Sequence, residues 1–284
     1  MHNSMLERGR AVGSMGGLPL MPSLTTPAPV ALYHRDFGGT GEPPRVILHG
    51  MLGSSRNWLT AGKDLAADRR VFALDLRNHG LSPHADPMTY AAMVSDVEAW
   101  LDARGIGAAE LIGHSMGGKV AMLLACRRPE RVARLVVVDI APKDYQWPEH
   151  RQEFAAIREL DLASLKSRAE AETRLEARVP GWAMRKFILT NLERVPDGWR
   201  WQINVPAITA ALPELERNPL GPGDHFGGPA LFIAGGKSRY VEAADHAAIT
   251  RAFPAARITV LPESGHNPHV EEREAFVRAV NSAG

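Results

Sequence analysis

The stretch of this chain best suited to chemistry is Leu111-Ile112-Gly113-His114-Ser115-Met116-Gly117-Gly118-Lys119. It reads as an apolar strand, then Gly-x-Ser-x-Gly, then the start of a helix. A serine hydroxyl is a poor nucleophile unless it is held out beside a base. A sharp strand-to-helix turn does this by lifting the side chain above a sheet. Such a turn crowds the residues two before and two after the serine, and both here are glycine, Gly113 and Gly117. The helix behind the turn aims its positive end at the reacting centre. Gly-x-Ser-x-Gly arises by chance in many chains, so the flanking strand and helix carry the weight. They predict Ser115 as the nucleophile of an acyl-transfer reaction.

The chain has eleven histidines, so position must select the base. In a sheet built this way the base belongs on the loop after the last strand. Ile258 to Leu261 is followed by Pro262-Glu263-Ser264-Gly265-His266-Asn267, which makes His266 the predicted base. His269 lies three residues on, a spacing that suits metal ligands, but no third ligand accompanies the pair. No metal and no cofactor are expected. His114, inside the turn, is assigned to packing. For the oxyanion the expected donors are two backbone amides. One is Met116, directly after the nucleophile; the other is Met51, in the loop His49-Gly50-Met51-Leu52-Gly53-Ser54 that follows an early strand.

The carboxylate that orients the histidine has two candidates. The loop after Ala230 to Ala234 is the usual place, but it reads Gly235-Gly236-Lys237-Ser238-Arg239-Tyr240-Val241 and reaches Glu242 only late. One strand earlier, Val136-Val137-Val138 ends in Asp139, at the sheet edge where open α/β folds bind ligands. Asp139 is favoured and Glu242 is the alternative, because such a triad is defined by geometry and not by chain position. Leu52, Trp58 and His79 are expected to wall the substrate pocket. For His79 and Asn78 a loop-stabilising role competes with substrate contact.

These residues need a scaffold, and the remaining pattern supplies one. Apolar runs at Val46 to Leu48, Val71 to Leu74, Glu110 to Ile112, Leu135 to Val138, Ala230 to Ala234 and Ile258 to Leu261 suit strands covered on both faces. Helical patterns at Tyr90 to Ala103, Lys119 to Arg127, Ala243 to Phe253 and Glu272 to Ser282 alternate with them. That alternation predicts an α/β protein with a mostly parallel, doubly wound sheet. Residues 143–220 break the rhythm. They offer no strand, helical stretches at Glu149 to Leu160 and Leu162 to Arg178, and the tryptophans Trp147, Trp182, Trp199 and Trp201. They are read as a helical lid inserted into a core of 29–142 and 221–284, with 1–28 a disordered leader.

Bulk properties exclude other classes. A net charge of +1 gives no electrostatic reason to bind nucleic acid or an anionic membrane. No apolar run approaches the ~18 residues of a membrane span. A single cysteine, Cys126, rules out an intrachain disulfide and any multi-thiolate metal site. The expected location is cytoplasmic, and the expected partner is a small-molecule ester or thioester substrate.

Four stretches together carry a family resemblance: His49-Gly50, Asp75-Leu76-Arg77-Asn78-His79-Gly80-Leu81-Ser82-Pro83-His84, Gly113 to Lys119, and Val138-Asp139-Ile140-Ala141-Pro142. From about residue 30 onward the chain resembles one subgroup of α/β-hydrolases. These are small bacterial esterases that also act on acyl-CoA thioesters, and their mitochondrial abhydrolase-domain relatives. Phe187-Ile188-Leu189-Thr190-Asn191-Leu192 is similar to that subgroup as well. The resemblance implies the α/β-hydrolase fold, serine esterase or thioesterase activity, and a triad acid at Asp139, with Gly-Gly-x-Ser after the insertion. An acyltransferase on the same triad is the alternative. A non-catalytic ligand-binding homologue is disfavoured because no triad member is missing, and Ser115 argues against halide or epoxide chemistry, which uses an aspartate nucleophile.

Overall fold

Short runs of β-branched and other apolar residues pair into a seven-stranded sheet in the order β1-β3-β2-β4-β5-β8-β9. The computed structural model describes residues 28–282; apart from Ala28, the expected leader lies outside them. The strands and helices of the first half are β1 (His34–Gly38), β2 (Arg45–Leu48), α1 (Leu59–Leu65), β3 (Val71–Leu74), α2 (Tyr90–Asp102), β4 (Ala109–His114), α3 (Met116–Arg127) and β5 (Val132–Val138). The second half runs α4 (Pro148–Glu159), α5 (Arg168–Leu175), α6 (Trp182–Leu189), β6 (Leu192–Val195), β7 (Gly198–Trp201), α7 (Val205–Glu216), β8 (Ala230–Gly235), α8 (His246–Ala252), β9 (Ala256–Leu261), α9 (Pro268–Glu271) and α10 (Arg273–Ser282). Every pairing in the large sheet is parallel except β1 with β3.

Apolar side chains on the two faces of the sheet form separate cores. One joins Leu48, Leu74 and Leu111 to Met93, Val97 and Trp100 of α2 and to Val120 and Leu124 of α3. The other joins Ile47, Ala73 and Ile112 to Ala61 and Leu65 of α1 and to Phe276 and Val280 of α10. Helices on both faces explain why β2, β3, β4 and β8 are buried along their whole length.

The structure departs from the sequence pattern at four places. β1, His-Arg-Asp-Phe-Gly, has no apolar run; it is an antiparallel edge strand, and edges tolerate charge. β9 was expected to be covered on both faces, but it is the opposite edge, and Val260 is exposed. The inserted segment is not all helical: β6 and β7 form an antiparallel hairpin that closes over Pro196-Asp197 with Gly198 at φ 139°. Pro-Asp-Gly is a turn signal with a mechanism, proline presetting φ and glycine supplying the positive φ. In the same segment, the long helix expected over Leu162 to Arg178 is confined to Arg168–Leu175.

The inserted segment shares the larger core through Ile188, Leu192, Ile208 and Leu212 and is also fastened by polar contacts. Lys119, fully buried in α3, donates to the carbonyls of Leu215 (3.2 Å), Glu216 (3.0 Å) and Arg217 (2.6 Å). These are orphan acceptors at the end of α7, where a cation also meets the negative end of the helix dipole. The rings of Tyr145, Trp147 and Tyr90 surround the ammonium at 4.9, 5.3 and 5.6 Å, and aromatic faces attract a desolvated cation. Burial nonetheless pulls its pKa down to about 7, opposed by Asp144, Glu216 and Glu214.

On the other flank of β2, Arg77 and Asp96 form a fully buried two-pronged pair at 2.6 and 2.7 Å. Asp96 also accepts from Val30 N–H, and Arg77 also donates to Pro87 C=O. Removing one partner strands a buried charge. Asp96→Ala should therefore cost about 3–5 kcal/mol in urea denaturation. Glu98→Ala, which breaks the partly exposed pair with Arg128, should cost less than about 1 kcal/mol.

Candidate active site

Strand register delivers the candidate residues to one place. β2 pairs with β4 so that Leu48 faces Gly113. β4 pairs with β5 so that His114 faces Val138, and β5 pairs with β8 so that Val138 faces Ile233. β8 pairs with β9 so that Gly235 faces Leu261. The residues that follow these positions (Gly50 to Leu52, Ser115, Asp139, Ser238 and His266) must emerge at the same carboxyl edge. The chain order reverses between β2 and β4, and that is where open α/β sheets leave a crevice.

Ser115 sits between β4 and α3 at φ 51°, ψ −118°, a conformation that L-residues seldom adopt. Its N–H donates to Val138 C=O at 3.0 Å. The turn is as crowded as the sequence requires. A methyl group on Gly113 would lie 2.4 Å from the Gly117 carbonyl oxygen, and one on Gly117 would lie 2.4 Å from that of Leu48. A methyl on Gly50 would meet His114 Nδ1 at 2.8 Å and Ser115 Cβ at 3.2 Å. The loop after β2 therefore rests directly on the serine. Met116 N–H is the first of α3, and among the described residues neither it nor Met51 N–H donates to another protein group.

Asp139, fully buried at φ 49°, is the carboxylate that meets the imidazole. Its Oδ2 lies 2.8 Å from His266 Nδ1 and accepts from Ser238 Oγ at 2.5 Å, while Oδ1 accepts from Gly235 N–H at 2.9 Å. Glu242 is exposed and caps the turn Ala243–Asp245 instead. The His266 ring is 26% exposed. Tyr240 stacks on it at 3.7 Å and 21°, and the backbone carbonyl of His266 accepts from His114 Nε2–H at 2.8 Å. With Nδ1 committed to Asp139, Nε2 is the nitrogen that remains to take a proton. Among the described residues no hydrogen bond joins it to Ser115 Oγ; such contacts are often long before substrate binds.

The three expected pocket walls lie elsewhere. Leu52, at φ 62°, turns its side chain into the larger core, and Trp58 lies in the smaller one, stacked on His269 at 4.0 Å. His79 is fully buried with both ring nitrogens engaged. Its Nδ1–H donates to Arg77 C=O at 3.0 Å, and its Nε2 accepts from Leu52 N–H at 3.3 Å. His49 mirrors it, donating to Gly50 C=O at 2.7 Å and accepting from Leu76 N–H at 2.9 Å. Each histidine thus reaches into the other's loop, and the two rings meet edge to face at 5.1 Å. These side chains are buried and brace the loops that carry the site. Ser238, Tyr240 and His49 were not singled out as site residues, although Gly-Gly-x-Ser and His-Gly were visible as patterns. Tyr240 had no local signal.

Among the described residues no group of three His, Cys, Asp or Glu is arranged to hold a metal ion, and no helix is long and apolar enough to cross a membrane.

The arrangement belongs to a known class. The family model described as the α/β hydrolase fold matches residues 43–273, and the chain belongs to that family. It is an enzyme of the hydrolase class. It is 37% identical over 263 residues to the sn-1-specific diacylglycerol lipase ABHD11 of Mus musculus, covering 90% of this chain and 85% of the relative. It is likewise 37% identical over 240 residues to esterase YbfF of Escherichia coli, covering 84% and 91%. A marine microorganism esterase of known structure superposes with a TM-score of 0.86 at 34% identity, covering 90% of this chain and all of that one.

Burial holds the supporting histidines neutral. It lowers the pKa of His49 to about 4 and of His79 and His269 to about 3, from an ordinary 6.5, and lowers that of His114 as well. Below pH 6.5 the unfolded chain takes up protons that the folded one refuses, so stability falls as pH falls from 6.5 toward 4. Each group contributes up to about 1.4 kcal/mol per pH unit. The melting temperature should fall steeply between pH 7 and 5 in calorimetric scans; an unchanged value would contradict neutral burial.

Proposed function

We propose that this protein is a serine esterase that hydrolyses carboxylic esters or thioesters of small to medium acyl groups through Ser115, His266 and Asp139. The observation that carries this reading is the 2.8 Å contact between His266 Nδ1 and the buried, triply engaged Asp139 carboxylate, beside a serine held at positive φ on a helix N-terminus. Buried carboxylate, oriented imidazole and strained serine together define a nucleophile–base–orienter set. The esterase and lipase names of the relatives support the same substrate bond.

In this mechanism His266 Nε2 takes the hydroxyl proton as Ser115 Oγ bonds to the acyl carbon. The carbonyl oxygen becomes an oxyanion, which Met51 N–H and Met116 N–H receive. Each such donor contributes roughly 3 kcal/mol to the transition state. The tetrahedral intermediate then expels the alcohol or thiol, which leaves with the proton from His266. Water adds to the acyl-enzyme by the same route, its proton passing to His266, and Ser115 departs reprotonated with the acid released. Asp139 fixes the Nδ1–H tautomer and stabilises the imidazolium that forms in the transition state, and Tyr240 stacked on that ring holds its plane. The inserted segment from α4 to α7 serves as a lid that selects the acyl group.

A fluorophosphonate probe should label Ser115 stoichiometrically, with the adduct located by peptide mass spectrometry. Ser115→Ala should lose the label and lower kcat by roughly 10⁴-fold or more on p-nitrophenyl butyrate. Asp139→Asn should lose about 10⁴-fold, and Glu242→Gln should stay near wild type. Retained turnover in Ser115→Ala would sink the proposal. A panel of p-nitrophenyl esters, acyl-CoA thioesters and diacylglycerol then sets the substrate range.

A further inference from the structure

We infer that Asn191, in the inserted segment, is a positioning residue for the oxyanion donors, so that the insertion is part of the transition-state machinery as well as a cover. The inference rests on the roles proposed above for Ser115, Met51 and Met116.

The loop after β2 is a tight turn, closed by Gly53 N–H donating to Gly50 C=O at 3.0 Å. Leu52 occupies its third position at φ 62°, where glycine is favoured and a side-chain-bearing residue needs outside support. Support arrives on both sides of that residue. Leu52 N–H donates to His79 Nε2 at 3.3 Å, and Leu52 C=O accepts from Asn191 Nδ2 at 2.8 Å. The second bond is the shorter one, and it comes from 139 residues away.

Asn191 is itself held firmly. It is buried just past the end of α6, its N–H donates to Ile188 C=O at 3.0 Å, and its own C=O accepts from Gln202 N–H at 2.8 Å. Nδ2 also reaches Ile188 C=O at 3.3 Å. An amide whose backbone and side chain are both fixed in this way makes a rigid strut between the hairpin β6–β7 and the oxyanion turn. Met51 N–H precedes Leu52 by one residue. If Leu52 relaxes from the left-handed region, the Met51 amide loses its aim. Oxyanion donors act only over a narrow range of distance, and small misplacements of reacting groups are costly. Phe187 to Leu192, prominent in the sequence, otherwise has no part in the mechanism.

Two variants test this. Asn191→Ala removes the strut. Asn191→Asp keeps its volume, but its carboxylate cannot donate to Leu52 C=O. Kinetics are normalised to the fraction of sites that the fluorophosphonate titrates, so misfolded protein does not count. Both variants should lower kcat by roughly ten- to a hundredfold, with KM held within about threefold. Affinity for an acyl trifluoromethyl ketone, which becomes an oxyanion on Ser115, should fall by the same factor as kcat/KM. Affinity for the matching unfluorinated ketone, bound as a ground state, should not change. A merely structural asparagine would lower the titratable fraction and leave kcat per site and ketone affinity intact. That result with a labelled wild type overturns this inference alone. A wild type that takes no label at Ser115 overturns the nucleophile assignment, and this inference with it.

Discussion

Among the described residues, four that carry side chains are held at positive φ: Leu52, Asn78, Ser115 and Asp139. All four lie on loops that leave the carboxyl ends of β2, β3, β4 and β5. Each such conformation costs on the order of 1–2 kcal/mol, and together they approach a sizeable share of a domain's net stability of about 5–15 kcal/mol. They persist because the parallel register over-determines them. Ser115 and Asp139 each donate their backbone N–H to the neighbouring strand, at Val138 and Ile233. Asn78 closes its own loop through Pro83 C=O and through two side-chain bonds to Ala85. The two apolar cores hold the strands level, and the strands hold the backbone in conformations it would otherwise leave.

Histidine appears at this edge in two physical states. His49, His79, His114 and His269 are buried, and desolvation disfavours their charged form. His49, His79 and His114 act as neutral linkers, donating from one nitrogen and, in His49 and His79, accepting at the other, whereas His269 packs as a ring stacked on Trp58. His266 differs in being partly open to solvent and set against a carboxylate. One residue type thus supplies buried, neutral bracing at four positions and a partly exposed, carboxylate-paired ring at a fifth.

What the sequence made legible was whatever is written locally. The glycines around Ser115 report steric crowding, and the apolar runs report strands covered on both faces. Asp139 could be favoured over Glu242 because it ends a strand, whereas Glu242 comes late in its loop. The misses are tertiary. β1 carries the mixed composition that only an edge strand tolerates. The hairpin after α6 was missed despite its Pro-Asp-Gly turn, because its two strands are only four residues long and carry Glu193, Arg194 and Arg200 among their apolar residues. Leu52, Trp58 and His79, expected as pocket walls, are instead buried, Trp58 stacked on His269 and His79 bonded at both ring nitrogens. No periodicity signals a contact such as Asn191 with Leu52 across 139 residues.

The attachment of the inserted segment has an evolutionary consequence. Lys119 seizes the last turn of α7, Asn204 pairs with Asn78, and Asn191 reaches Leu52. These fastenings cluster in the second half of the segment and touch residues that already belong to the sheet edge or to the serine's helix. The stretch between α4 and α6 carries none of them. Its apolar residues Leu160, Leu165, Ala171, Leu175 and Val179 sink into the larger core, so its exposed positions are the ones free to drift while these moorings stay put. A lineage could remodel that outer surface without disturbing the carboxyl edge of the sheet, and a protein engineer could do the same by substitution.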